Sequence, residues 1–70
     1  MYGFDYNDKI SFLGKDVKPY WKVIGFNKLN QMFVSPISNE TIKWSIDYIV
    51  INVEKTPIFI VKKRDESYSD

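Results

Sequence analysis

The chain has 70 residues and contains neither cysteine nor histidine. These absences exclude disulfide scaffolds, Cys/His zinc sites, iron–sulfur clusters and catalysis that uses a Cys–His or Ser–His pair. A domain of this length buries about 60% of the surface that its unfolded chain exposes, so a packed core must supply its stability. We therefore expect one small domain that holds no cofactor.

Alanine is also absent, and leucine occurs only twice. By contrast, Ile, Val and Thr number 17 and aromatic residues number 12, so 29 of 70 residues favour half-buried pleated surfaces. This composition predicts an all-β fold. Ile, Lys, Asn, Tyr and Phe, whose codons are AT-rich, make up 33 of the 70 residues, which is typical of an AT-rich bacterial or phage genome.

Charge is nearly balanced, with ten basic residues against nine acidic ones and a net charge of +1. A general electrostatic footprint for nucleic acid requires a larger excess. The charge is nevertheless uneven, because residues 9–28 carry five lysines and one acid while residues 40–54 have a net charge of −2. A local basic region therefore remains a candidate binding surface.

The first residues, Met1–Tyr6, lack the basic region and apolar run of a signal peptide. No stretch approaches the ~18 apolar residues of a transmembrane helix. We therefore expect a cytoplasmic protein that is not inserted in a membrane.

Alternation of apolar and polar residues predicts five or six short strands joined by turns. The turn residues Asn27–Asn30 join the clearest hairpin, and Gly25 within its first strand indicates a bulge or a close backbone approach. A single 3₁₀ turn is expected at Ser45–Tyr48. The polar, acidic segment 65–70 is expected to be a disordered tail after one domain at 1–64.

The predicted strands are 9–13, 20–26, 31–35, 41–46, 49–53 and 58–61. The predicted core residues are Ile10, Phe12, Val23, Ile24, Phe33, Val34, Ile42, Trp44, Ile49, Ile51, Ile58 and Ile60.

Two segments carry a family resemblance. Asp8–Asp16, an alternating strand followed by a Gly-containing turn, resembles the start of SH3-type domains. Trp44–Val50 resembles their closing segment, in which a strand, a one-turn 3₁₀ helix with a tyrosine and a final strand follow one another. The resemblance, to SH3-like small barrels of the Tudor and KOW kind and to small phage barrels, implies a five- to six-stranded barrel that binds nucleic acid or protein.

The chain departs from signalling SH3 domains at two points. Those domains carry adjacent tryptophans on a central strand and a proline before the 3₁₀ turn, whereas this chain has Tyr20-Trp21 and Ser45. We therefore do not expect a groove for proline-rich peptides.

Catalysis is not expected, because the carboxylates fall in turns and termini and nothing in the pattern implies a cleft. Asp5–Lys9 begins like a calcium loop, but Lys9 replaces the third ligand.

Aromatic residues exceed the needs of so small a core, and surplus aromatics supply interface anchors. The leading expectation is a non-enzymatic protein–protein interaction module, such as a phage or mobile-element accessory or inhibitor protein that docks on a host or sister protein. Self-association through Tyr20, Trp21 or Phe59 is a further expectation.

The alternative is a nucleic-acid-binding barrel that uses the lysines and aromatics of residues 9–28. The candidate binding residues are Lys15, Lys18, Tyr20, Trp21, Lys22, Lys28, Lys43 and Tyr48.

Overall fold

The computed structural model describes residues 2–63. The predicted tail at 65–70 lies outside these residues. The elements follow in the order β1 (Lys9–Ser11), β2 (Trp21–Phe26), β3 (Gln31–Pro36), α1 (Asn39–Ile42), β4 (Ile49–Asn52) and β5 (Phe59–Lys62).

Five antiparallel strands form one sheet in the order β4-β3-β2-β1-β5, so the predicted all-β class is confirmed. β1 lies between β2 and β5, with Ile10 opposite Trp21 on one side and opposite Ile60 on the other. The first strand in the chain therefore pairs with the last one. The resemblance to SH3-like barrels stays a prediction.

The predicted hairpin is formed by β2 and β3, and the side chain of Asn27 organises its turn. The Asn27 Oδ1 atom accepts hydrogen bonds from the backbone N–H groups of Leu29 (2.8 Å) and Gln31 (3.3 Å). Asn30 adopts the left-handed conformation with a φ of 61°. Asparagine tolerates this conformation better than most residues, which explains why the chain turns here.

The core lies on the inner face of this sheet. Its five buried apolar residues are Ile10, Trp21, Val23, Met32 and Val34. Of the predicted core residues, Ile10, Val23 and Val34 are fully buried, and another five pack against the core while remaining partly exposed: Phe12, Ile49, Ile51, Ile58 and Ile60.

The alternation of β2 and an irregularity at Gly25 account for two errors in the predicted core. Ile24 directly follows the inward-facing Val23, so the alternation of the strand turns it outward, where it is 41% exposed, and the register shifts between Val23 and Gly25. A Cβ atom on Gly25 would lie 3.2 Å from the Phe33 ring, so the ring occupies the space that glycine leaves free. The predicted irregularity at Gly25 is therefore present, and the group that approaches Gly25 closely is the Phe33 side chain and not another backbone segment. Phe33, predicted to be core, is only partly buried on this outer side.

The predicted strand at 41–46 is wrong, because the segment contains the end of α1 followed by turns. Ile42 and Trp44 were expected in the core, but they are 53% and 55% exposed. β3 already pairs with β2 on one side and with β4 on the other, so the segment has no place beside β3. The positive φ of Ser45, 60°, also interrupts a pleated backbone. The single helical turn lies at 39–42 and not at Ser45–Tyr48.

Lys63 joins the two ends of the described chain. Its ammonium group donates to the carboxylates of Asp8 (2.8 Å) and Asp5 (3.1 Å) and to the carbonyl of Gly3 (2.8 Å). The Asp8 side chain is fully buried and also accepts the backbone N–H of Asp5 at 2.9 Å. The end of β5 thus holds the segment that leads into β1.

A second contact fixes the N-terminus to the turns at one end of the sheet. The Tyr2 hydroxyl donates to the Glu54 carboxylate at 2.7 Å, and the Asn30 side-chain amide donates to the same oxygen at 3.1 Å. These bonds connect the β2–β3 turn, the β4–β5 turn and the start of the chain.

Replacing Lys63 by methionine should lower the free energy of unfolding by about 3 kcal/mol, because it removes an ammonium group from beside a buried carboxylate. The aliphatic part of the side chain is largely retained. Urea denaturation followed by circular dichroism measures the change. The control is Lys28→Met in the exposed hairpin turn, which should change stability by less than about 0.5 kcal/mol. Equal losses in the two variants would contradict the role assigned to Lys63.

Stability should also fall at alkaline pH. The hydrogen bond to Glu54 raises the pKa of Tyr2 above its usual 10.0, and the hydrogen bond to Asp8 raises the pKa of Lys63 above its usual 10.5. Both groups hold their protons more tightly in the folded chain, so their stabilisation is complete below pH 10.0 and is lost as the pH rises through the raised pKa values.

Denaturation at a series of pH values measures this dependence, and Tyr2→Phe should reduce it. A free energy of unfolding that stays constant or increases above pH 10.0 would be the opposite result.

Candidate functional site

Two buried serines organise the loop between β1 and β2. The Ser11 hydroxyl donates to the carbonyl of Val17 and accepts the N–H of Leu13 at 3.3 Å. The Ser38 hydroxyl, from the start of α1, accepts the N–H of Tyr20 at 2.6 Å. The loop is therefore fixed at both of its ends by hydroxyls that are themselves anchored in the fold.

This loop and β2 form an apolar groove of about 180 Å³, lined by Phe12, Leu13, Pro19 and Trp21, which we call the tryptophan groove. The Trp21 indole is only 4% exposed, whereas Leu13 is 69% exposed. The peptide bond before Pro19 is cis. The groove thus combines a buried aromatic base with an open apolar rim.

Trp44 packs against the same indole. The Trp21 and Trp44 ring centroids are 6.1 Å apart with an interplanar angle of 57°. The fully buried Thr41 places Trp44, because its carbonyl accepts the N–H of Trp44 at 3.0 Å. Trp44 remains 55% exposed, so a large aromatic side chain is held in place and yet open to solvent.

Three lysines occupy paired positions across neighbouring strands, and we call them the lysine row. Lys9 on β1 is opposite Lys22 on β2 and opposite Lys62 on β5. Like charges at opposite positions repel each other. The Lys9 ammonium lies 4.3 Å from the centroid of the Tyr20 ring, a cation–π contact that offsets part of this cost.

Tyr20 also contacts an acid of the β1–β2 loop. Its hydroxyl donates to the Asp16 carboxylate at 2.5 Å, and this hydrogen bond raises the pKa of the phenol above 10.0. The tyrosine therefore links the loop to the lysine row and stays protonated at neutral pH.

The outer face of the sheet carries a second apolar surface, a shallow depression of about 210 Å³ lined by Ile24, Phe33 and Tyr48. The rings of Phe33 and Tyr48 meet edge to face, with centroids 5.6 Å apart. Val50 lies opposite Phe33 on the neighbouring strand and is 46% exposed.

The structure does not bring the eight predicted binding residues into one site. Lys22 and Tyr20 lie beside Lys9, whereas Lys28 is in the turn at the far end of β2, roughly 20 Å along the strand. Trp21 is a core residue and contributes only the base of the groove. Tyr48 belongs to the outer depression. The remaining three are exposed, two in the β1–β2 loop and one after α1: Lys15, Lys18 and Lys43.

The eight residues predicted to bind a partner did not include Leu13 or Trp44, which the structure places at the surface. Trp44 was assigned to the core because residues 41–46 alternate, and only the pairing of β3 with β4 shows that this alternation is not that of a strand. Leu13 was predicted to end the strand 9–13, but β1 ends at Ser11, so Leu13 lies in the loop. The available signal was that Leu13 follows Phe12, the last inward position of the predicted strand.

Among residues 2–63, no group of three or more His, Cys, Asp or Glu side chains could hold a metal ion. The part of the chain that is described has no helix long and apolar enough to cross a membrane. Comparison of the chain with protein-family models, curated proteins and solved structures finds no match.

Proposed function

We propose that the protein is a non-enzymatic protein–protein interaction module that binds its partner through the tryptophan groove and Trp44. The observation that carries this proposal is the position of Trp44, which is 55% exposed although it packs on a buried tryptophan beside an apolar groove. Tryptophans in such well-supported positions are frequent anchors of protein interfaces, and contiguous exposed apolar surface is uncommon without a function.

The loop that forms the groove is held by hydrogen bonds of Ser11 and Ser38, so little ordering is required when a partner binds. The groove is apolar, which suits an apolar side chain presented by the partner. The composition supports the more specific part of the proposal, a cytoplasmic accessory or inhibitor protein of a phage or mobile element that docks on a host or sister protein.

The proposal is tested by placing a benzophenone amino acid at position 44 or 13 and irradiating cells that produce the protein naturally. We expect a covalent protein adduct from both positions, because Leu13 lines the groove and Trp44 packs on the Trp21 indole that forms its base. Position 28, in the exposed hairpin turn, is the control. Adducts of the same kind and yield from position 28, or adducts with nucleic acid in place of protein, would contradict the proposal.

With the captured partner purified, Trp44→Ala should weaken binding by about 30-fold, the loss typical of an interface anchor. The same substitution should leave the fold intact, since Trp44 is 55% exposed and lies outside the buried core.

The lysine row favours a second candidate function, binding of single-stranded nucleic acid. Lys22 is exposed beside Lys9 and Tyr20, and lysines next to aromatic rings on a sheet can contact phosphates and stack bases. The near-zero net charge makes this the weaker of the two proposals.

If the row binds nucleic acid, Lys22→Ala should weaken binding of labelled single-stranded oligothymidine and reduce the slope of log affinity against log salt by about one. Fluorescence anisotropy at low and physiological salt measures both quantities. Lys55→Ala, in the exposed β4–β5 turn, is the matched control. Absence of binding at low salt, or equal effects of the two substitutions, rules out this function for the row.

A further inference from the structure

β4 is an edge strand of the sheet, and one of its outward carbonyls, that of Asn52, already accepts the backbone N–H groups of Lys55 (3.2 Å) and Thr56 (3.1 Å). In residues 2–63 it pairs with β3 and with no strand on its other side. The N–H of Val53 donates to the carbonyl of Asn30 at 2.9 Å, which fixes which peptide groups face β3. Because these groups alternate along an antiparallel strand, those of Ile49 and Ile51 point to β3 and those of Val50 point away from it.

This edge carries no charge that would prevent pairing. Residues 48–53 contain no acidic or basic side chain, and β4 itself is rich in β-branched residues. The opposite edge of the sheet, β5, ends with Lys62. Proteins commonly protect edge strands with lysines, so β5 is protected in this way and β4 is not.

We propose that the β4 edge pairs with the β4 edge of a second copy of this chain. The two strands run antiparallel about a two-fold axis at Val50, so that the two five-stranded sheets become one continuous sheet. In this register the Val50 peptide groups of the two copies exchange two hydrogen bonds, and the N–H of each Asn52 donates to the carbonyl of Tyr48 in the other copy.

The same register is compatible with the side chains. Ile49 of one copy lies opposite Ile51 of the other, and such β-branched pairs stabilise neighbouring strands. The acids Asp47 and Glu54 flank the paired stretch and do not face each other. The net charge of +1 produces little repulsion between copies. In this register both sides of the pair are the same uncharged, β-branched strand, so a second copy supplies a matching partner that an unrelated segment need not supply.

The outer depression supports this arrangement. Val50 is 46% exposed and lies beside the Phe33 and Tyr48 rings, so the Val50 side chain of the second copy would arrive next to the same apolar surface. Oligomerisation is one of the routes by which domains of this size gain stability.

The test is the mass of the full chain in solution over a wide concentration range, by analytical ultracentrifugation. We expect twice the 8.3 kDa of one chain at high concentration. Val50→Lys should abolish the dimer, because it places two ammonium groups against each other at the axis. Val17→Lys is the matched control, since Val17 is a 42% exposed β-branched residue in the β1–β2 loop and belongs neither to β4 nor to the outer depression.

Circular dichroism verifies that both variants fold, and amide hydrogen exchange gives a second readout. The Val50 amide of the natural chain should exchange more slowly as concentration rises. A mass equal to that of one chain at every concentration overturns the proposal. The partner of the β4 edge would then be a strand of a different protein and not a second copy. A dimer that survives Val50→Lys also overturns it. Trp44→Ala should leave the mass unchanged, so failure of this proposal and failure of the tryptophan groove are distinguishable.

Discussion

The buried carboxylate of Asp8 is the point on which the arrangement of the sheet depends. A buried charge is tolerated only when it is paired and hydrogen-bonded, and Lys63 and the N–H of Asp5 meet this requirement at 2.8 and 2.9 Å. The backbone of Asp8 also accepts the N–H of Val23 at 3.0 Å, which extends the pairing of β1 with β2. One residue therefore positions the first strand, its neighbour β2 and the end of β5.

This constraint determines which surfaces are available for function. β1 has only three residues and lies between two longer strands, and one core of five buried apolar residues covers the inner face of the sheet. The remaining apolar residues lie where the core has no room for them. They collect beside the β1–β2 loop, around Trp44 and on the outer face. Rigid strands thus support binding surfaces that are built largely from loops.

The elements that are determined by residues close together in the sequence could be predicted. The β2–β3 hairpin follows from its alternation and its asparagine turn, and the bulge follows from Gly25 between two apolar residues. The Trp44 segment was not predictable, because its alternation matches that of a strand and the deciding fact is that β4 already occupies the edge of β3. The lysine row requires the register of β1 with both of its neighbours, information that only long-range pairing contains. The sequence therefore indicated that surplus aromatic residues and a local excess of lysines are present, but it did not indicate where on the surface they lie.

The contact between Trp21 and Trp44 has an optical consequence. These are the two tryptophans of the chain, and their rings are 6.1 Å apart, with one buried and the other more than half exposed. An indole in an apolar environment emits at shorter wavelength than one in water, and two indoles so close exchange excitation energy. The intrinsic fluorescence of the protein therefore originates almost entirely at the groove. Occupation of the groove changes the surroundings of both emitters at once, so the unlabelled protein carries its own reporter of binding.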